Sequence, residues 1–137
     1  VIASYRELLV WQKAMEMVEQ VYRFVDGLPS DERFELSRQL RRAAVSVPSN
    51  IAEGHSRRST REYLQFISIA LGSVAELETQ LLLAVRLNMA QPESTVSLEE
   101  ILSEIGKMLR AIQVSLNSKV SEPRHQDYQC AEIHPDP

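Results

Sequence analysis

A single cysteine, Cys130, stands in 137 residues. It cannot close an internal disulfide, and there is no cysteine cluster to hold zinc. Glycine is scarce at four residues, which weighs against Gly-rich nucleotide-binding loops and against turn-rich all-β sandwiches. Aromatics make up 6% of the chain, so any core has to be mostly aliphatic. There is no excess of positive charge: 15 Lys and Arg against 19 Asp and Glu give −4. That total argues against simple polycation binding to nucleic acid, but it leaves room for a local basic patch. No apolar run approaches the ~20 residues that span a bilayer, and no signal-like segment precedes the first helical stretch. The sequence opens at Val1 without Met, which leaves room for residues before it. A cytoplasmic protein without a membrane partner is the expectation.

The length suits one domain, and a hydrophobic share of 44% with 25% charge is ordinary for a globular one. Four segments carry helical periodicity. The first runs from Arg6 to Asp26, with Leu8, Trp11, Met15, Val18, Tyr22 and Val25 as its main apolar stripe and Ala14, Val21 and Leu28 as a neighbouring one. Gly27, read as a left-handed cap, and Pro29 end it. The second starts at Ser30 and carries Leu36, Leu40, Ala43, Val47 and Ile51. Pro48 interrupts this stripe without breaking its register, so one kinked helix is expected, closed by Gly54 as C-cap.

The third segment opens with a capping box, Ser59 to Glu62, and runs to about Met89. Tyr63, Ile67, Ala70, Val74, Leu77, Leu81 and Ala84 form the seam expected of near-parallel helix packing. Leu64, Leu71, Ala75, Leu82, Val85 and Met89 form a second stripe, widened by Phe66 and Ile69. That is more apolar surface than one bundle seam uses, which points to contact with another subunit. After a break containing Pro92, a second capping box is read at Ser97–Glu100, and Leu98, Ile101, Leu102, Ile105, Leu109, Ile112 and Leu116 carry the fourth helix. The reading is an all-α, antiparallel up-down-up-down four-helix bundle over residues 1–120, oligomeric, with a polar C-terminal tail over 121–137.

Little here suggests catalysis. Bundle di-iron sites need Glu-x-x-His on facing helices, and His55, His125 and His134 lie outside any such motif. There is no Gly-x-Ser-x-Gly turn and no phosphate loop. The expectation is no enzyme, no metal and no cofactor. The polar residues point elsewhere. Gln39, Arg42, Ser46, Asn50 and Glu53 step by three or four along one face of the second helix, beside its apolar stripe. Groups there need partners, and Glu76 or Glu78 of the third helix is the candidate for Arg42. The face is either solvated or a half-buried network that fixes helix register or subunit packing.

Charge is segregated too. Residues 33–61 hold Arg33, Arg38, Arg41, Arg42, Arg57, Arg58 and Arg61 against Glu35 and Glu53, a net +5, whereas residues 62–137 carry −6. Arginine suits bidentate contact with phosphate or carboxylate. The patch Arg33, Arg38, Arg41, Arg57, Arg58 and Arg61 either meets RNA or another anion, or pairs with the protein's own acids.

Three strings occur in order: VWQKA at Val10–Ala14, QLRRAAVSVPSNIAEG at Gln39–Gly54 followed by Arg57-Arg58-Ser59-Thr60, and ALGSVAELETQ at Ala70–Gln80. Over residues 5–118 the chain resembles the four-helix-bundle family first met as proteins encoded in intervening sequences of bacterial large-subunit ribosomal RNA genes. It is also similar to the accessory variability determinant of diversity-generating retroelements. The resemblance implies a left-handed bundle assembled into a ring-like homopentamer. For the retroelement protein it implies a basic surface engaging nucleic acid and a reverse transcriptase, and it carries no catalytic residues. Trp11, Gln39, Arg42, Ser46, Pro48, Asn50, Glu53, Gly54, Glu76 and Glu78 occupy the motif positions, which favours an assembly role for the polar stripe. The expected partners are copies of itself, with RNA or a nucleic-acid-processing protein as a further one.

Overall fold

The computed structural model describes residues 3–29 and 34–121. They form four helices: α1 (Leu9–Asp26), α2 (Phe34–His55), α3 (Thr60–Arg86) and α4 (Val96–Ser121). Short 3₁₀ turns at Tyr5–Glu7 and Pro92–Thr95 precede α1 and α4, and there is no strand among the described residues. α1 packs on α2 and α4, and α3 packs on α2 and α4, which closes a bundle around one aliphatic core. Ser30, Arg33 and the tail after Ser121 lie outside the described residues.

The stripes of α2, α3 and α4 fall where periodicity puts them. Leu40, Ala43, Val47 and Ile51 are buried on α2, and Ile67, Ala70, Val74, Leu77, Leu81 and Ala84 on α3. Burial of each large aliphatic side chain contributes ~1.5–3 kcal/mol before chain entropy is subtracted. α2 continues as one helix through Pro48. On α1 the expected stripe is displaced: Val10, Ala14, Met17, Val21 and Val25 face the core, while Met15 and Tyr22 are exposed. Bulk alone misplaces the face, because the smaller residues Ala14 and Val21 fit the closer helix approach.

The helix ends also differ from expectation. Gly27 has right-handed φ and ψ, and Gly54 lies inside α2 without positive φ. The left-handed residue is Asn88, with φ 59°. It closes α3 with Met89 N–H donating to Ala84 O at 2.9 Å and Asn88 N–H to Val85 O at 3.0 Å, the paired bonds of a Schellman cap. Ser59 accepts from Glu62 N–H at 3.4 Å, so Ser59 is the N-cap of α3, as the first capping box places it. The second does not: Ser97 lies within α4 and donates to Gln20 Oε1 of α1 at 3.1 Å. Thr95, buried at the start of α4, donates to Glu99 Oε1 at 3.2 Å instead.

By length and composition α3 is apolar enough to cross a membrane, contrary to the sequence expectation. Its core face is filled by the bundle, yet Ile69, Leu82, Leu83 and Leu87 are 42–56% exposed on its outer side.

Candidate functional site

The α2–α3 boundary holds the polar stripe. Ser46 and Ser73 hydroxyls meet at 2.8 Å across the two helices. The Asn50 side-chain amide donates back to Ser46 O at 2.7 Å and to Ser46 Oγ at 2.9 Å. These bonds satisfy a half-buried hydroxyl pair that would otherwise destabilise the boundary. One turn away, Gln39, Arg42, Ala43, Ser46, Glu76 and Gln80 line a groove of about 360 Å³. Gln80 is buried, and its Oε1 has no hydrogen-bond partner.

Arg42 and Glu76 thus share a groove, but no ion pair joins Arg42 to Glu76 or Glu78 among the described residues. The expected intramolecular pairing is absent. Glu78 is exposed and does not line the groove. Gln39 lines the groove as well, and its amide donates to Glu35 Oε1 at 3.3 Å. Glu53 is taken by Arg57 at 2.9 Å, so it stands apart from the Ser46–Asn50–Ser73 cluster. Ser73 and Gln80 were not singled out by sequence reasoning. Their signal was present: Ser73, Glu76 and Gln80 are spaced by three and four on one helix face.

The arginine block divides in two. Arg38, Arg41 and Arg42 line a cleft of about 430 Å³ with Tyr22, Val45 and Ser46 at the α1–α2 boundary. Arg57, Arg58 and Arg61 flank the α2–α3 turn, some fifteen residues further along, about 20 Å at ~1.5 Å per helical residue. In that second group Arg57 is held by Glu53 and lies over the Phe66 ring at 5.2 Å, whereas Arg58 and Arg61 are exposed. No carboxylate lines the Tyr22 cleft. An arginine fork there keeps its donors for an external anion. Arg33 lies outside the described residues.

Other concave or titratable features offer less chemistry. A cavity of about 780 Å³ beside the C-terminus of α1 has Arg23 as its one charged lining residue. His55 packs edge-on against Tyr63 at 5.8 Å, and burial raises the Tyr63 hydroxyl pKa. No group of three metal-ligating side chains occurs among the described residues. Cys130, His125 and His134 lie outside them.

Four packed helices, a polar α2–α3 boundary and an arginine cleft with no carboxylate in its described lining define a helical-bundle protein whose distinctive surfaces suit binding. The family follows from comparison: residues 6–111 match the model of the 23S rRNA-intervening sequence protein family, and the chain belongs to it. Among solved structures it is similar to a protein of unknown function from the S23 ribosomal protein family of Bacteroides thetaiotaomicron. The two share 26% identity with a TM-score of 0.72, over 77% of this chain and 98% of that one. No curated protein matches the chain.

Proposed function

We propose that this chain is a non-enzymatic scaffold: an antiparallel up-down-up-down bundle that assembles with copies of itself in the cytoplasm and presents an arginine cleft to RNA. The antiparallel register is supported by the pairing of Ser46 with Ser73 and of Gly54 with Phe66 across α2 and α3. As residue numbers rise on one helix they fall on the other.

The observation that carries self-assembly is the outer side of α3. Ile69, Leu82, Leu83 and Leu87 are 50%, 56%, 42% and 53% exposed. Large aliphatics concentrated on one helix of a water-facing bundle mark a surface that another molecule covers. A homopentamer is the assembly that the family resemblance implies. Chromatography with light scattering at micromolar concentration tests it. A multiple of 15.6 kDa is expected, and a single 15.6 kDa species would overturn the scaffold reading.

The RNA reading rests on Arg38 and Arg41 beside the exposed ring of Tyr22. Guanidinium groups contact phosphates, and an aromatic face accepts an unstacked base. Two or three such contacts to single-stranded RNA make the logarithm of affinity fall with that of salt at a slope of about −2. Alanine at both Arg38 and Arg41 should flatten that slope. The opposing reading, a self-associating module with protein partners alone, is favoured by the overall charge of −4 and by the carboxylate of Glu76 in the groove next to Arg42. Absence of salt-dependent binding would select it.

A further inference from the structure

Where the C-terminal ends of α1 and α3 meet the start of α4, the bundle leaves a cavity of about 780 Å³. Sites for small organic ligands fall in the range of ~300–1,000 Å³. The walls have two chemistries. Phe24, Leu28 and Leu98 form an apolar part: Leu98 is buried, and Phe24 and Leu28 pack against the core. The polar part is rich in donors. It holds the Arg23 guanidinium and the carboxamides of Gln20, Asn88 and Gln91, with no carboxylate among the described lining residues.

The donors are placed for a ligand. Glu19 lies four residues before Arg23 and Asp26 three after it, spacings at which helix ion pairs form, yet Arg23 pairs with neither. Gln20 Oε1 accepts from the Ser97 hydroxyl at 3.1 Å, which engages the carbonyl end of that carboxamide and leaves its NH₂ group as a donor. Asn88 carries its carboxamide on a left-handed backbone, with φ 59°, held by the paired bonds that close α3. Ser94 donates from its N–H and its hydroxyl to Gln91 O at 3.0 and 2.7 Å, so the turn bearing Gln91 is fixed as well. A rim held in this way loses little freedom on binding.

Charge selects the ligand. One guanidinium matches one negative charge, and its planar fork matches a carboxylate. The C-terminal ends of α1 and α3 carry partial negative charge, which disfavours polyanions such as RNA or a nucleoside polyphosphate. We propose that this cavity binds a small organic acid, with one carboxylate held by Arg23 and the neighbouring amides and an apolar body packed on Phe24, Leu28 and Leu98. The site is separate from the Tyr22 cleft and depends neither on assembly nor on RNA.

Titration of the full chain with naphthylacetate and with its uncharged amide, naphthylacetamide, followed by nitrogen-resolved NMR, tests this. Naphthylacetate should shift the backbone amide resonances of Gly27, Asn88 and Gln91. It should bind about 10- to 100-fold more tightly than the amide, the range of a charge-assisted hydrogen bond. Arg23→Gln should remove that preference while retaining helicity, because Arg23 is exposed. Alanine at both Arg38 and Arg41 should leave the preference unchanged. Equal affinity for acid and amide in the parent overturns the assignment without any variant. So does a preference that survives Arg23→Gln, or one that the Arg38 and Arg41 changes abolish equally, which would mean general attraction to positive charge. Shifts gathered on Ile69, Leu82 and Leu83 would place the probe on the outside of α3 instead. No shift with up to about 10 mM naphthylacetate also overturns the site.

Discussion

Gly54 is where α2 comes closest to α3. A Cβ built there would lie 2.6 Å from Phe66 Cβ and 2.9 Å from Tyr63 Cδ2. Both neighbours belong to the first turns of α3, and a Cβ atom beside a backbone cannot swing aside as a side-chain tip can. Gly54→Ala should therefore push the two helices apart and destabilise the fold by ~1–3 kcal/mol, read from urea unfolding at low protein concentration. Gly72 is the contrast. A Cβ there meets nothing within 4 Å, so Gly72→Ala should stabilise the single chain by about 0.5–1 kcal/mol through helix propensity alone. Equal effects at both sites would mean that close approach is not what holds Gly54. In the sequence, Gly54 has the same signature as a C-cap: glycine at the end of an amphipathic stripe. Only the neighbouring helix distinguishes the two roles, and that information is not local.

At the scale of elements, the ends of α3 and the α1–α4 contact carry the testable consequences. Asn88 is the one non-glycine residue in the left-handed region among those described. Asn88→Gly removes the Cβ penalty of that conformation and should raise stability by ~1 kcal/mol or somewhat less, measured by thermal unfolding. Lys13 on α1 lies 2.6 Å from Glu104 on α4. Hydrogen bonding and the opposite charge of Glu104 raise the Lys13 pKa, and Lys13 lowers that of Glu104 for the same reasons. The carboxylate's share of the stabilisation is full above the ordinary glutamate value of 4.5 and is lost as pH falls below it. The ammonium's share is full below the ordinary lysine value of 10.5 and is lost as pH rises past it. The stability difference between the parent and Lys13→Met should therefore be full between those values, fade progressively beyond either one, and shrink in high salt, because the pair is exposed. A difference that high salt leaves unchanged would instead reflect packing of the lysine stem.

Elements were unequally legible in sequence. The α3 seam sets seven residues from Tyr63 to Ala84 on one face, and a helix has only one way to bury such a stripe. On α1, two adjacent stripes overlap. Counting large residues selects Met15 and Tyr22, yet the bundle buries Ala14, Met17 and Val21 on the neighbouring face. Ser97 and Thr95 show the same limit at the start of α4. Both are good N-cap residues within two positions, and the 3₁₀ turn at Pro92–Thr95 decides between them.

At the scale of the whole molecule, charge along the sequence overstated charge in space. Seven arginines within residues 33–61 read as one patch, but a helix of 22 residues separates their ends, leaving the Tyr22 cleft and the α2–α3 turn as distinct places. The polar stripe was legible as a stripe. Its missing partner was not, because the absence of an Arg42–Glu76 bond depends on side-chain reach across the groove. The excess apolar width of α3 was legible directly, and it yields the sharpest prediction at this scale.

Ile69 and Leu83 lie two heptads apart on α3, so they share its outer side, and Ile69 also lines a groove with Gln113 and Asn117 of α4. If the copies meet over this outer side of α3, lysine at Ile69 and Leu83 together should dissociate the assembly. Each side chain is about half exposed in the single chain, so covering its remaining surface contributes ~1 kcal/mol. Losing two raises the dissociation constant by roughly 30-fold, and burying ammonium groups in their place raises it further. A contact using the same patch on both copies closes as a pair, while one that joins the groove to a different surface continues until a ring closes. Light scattering of the parent at twice or at five times 15.6 kDa therefore also decides whether the outer side of α3 meets its own copy or another face of the bundle.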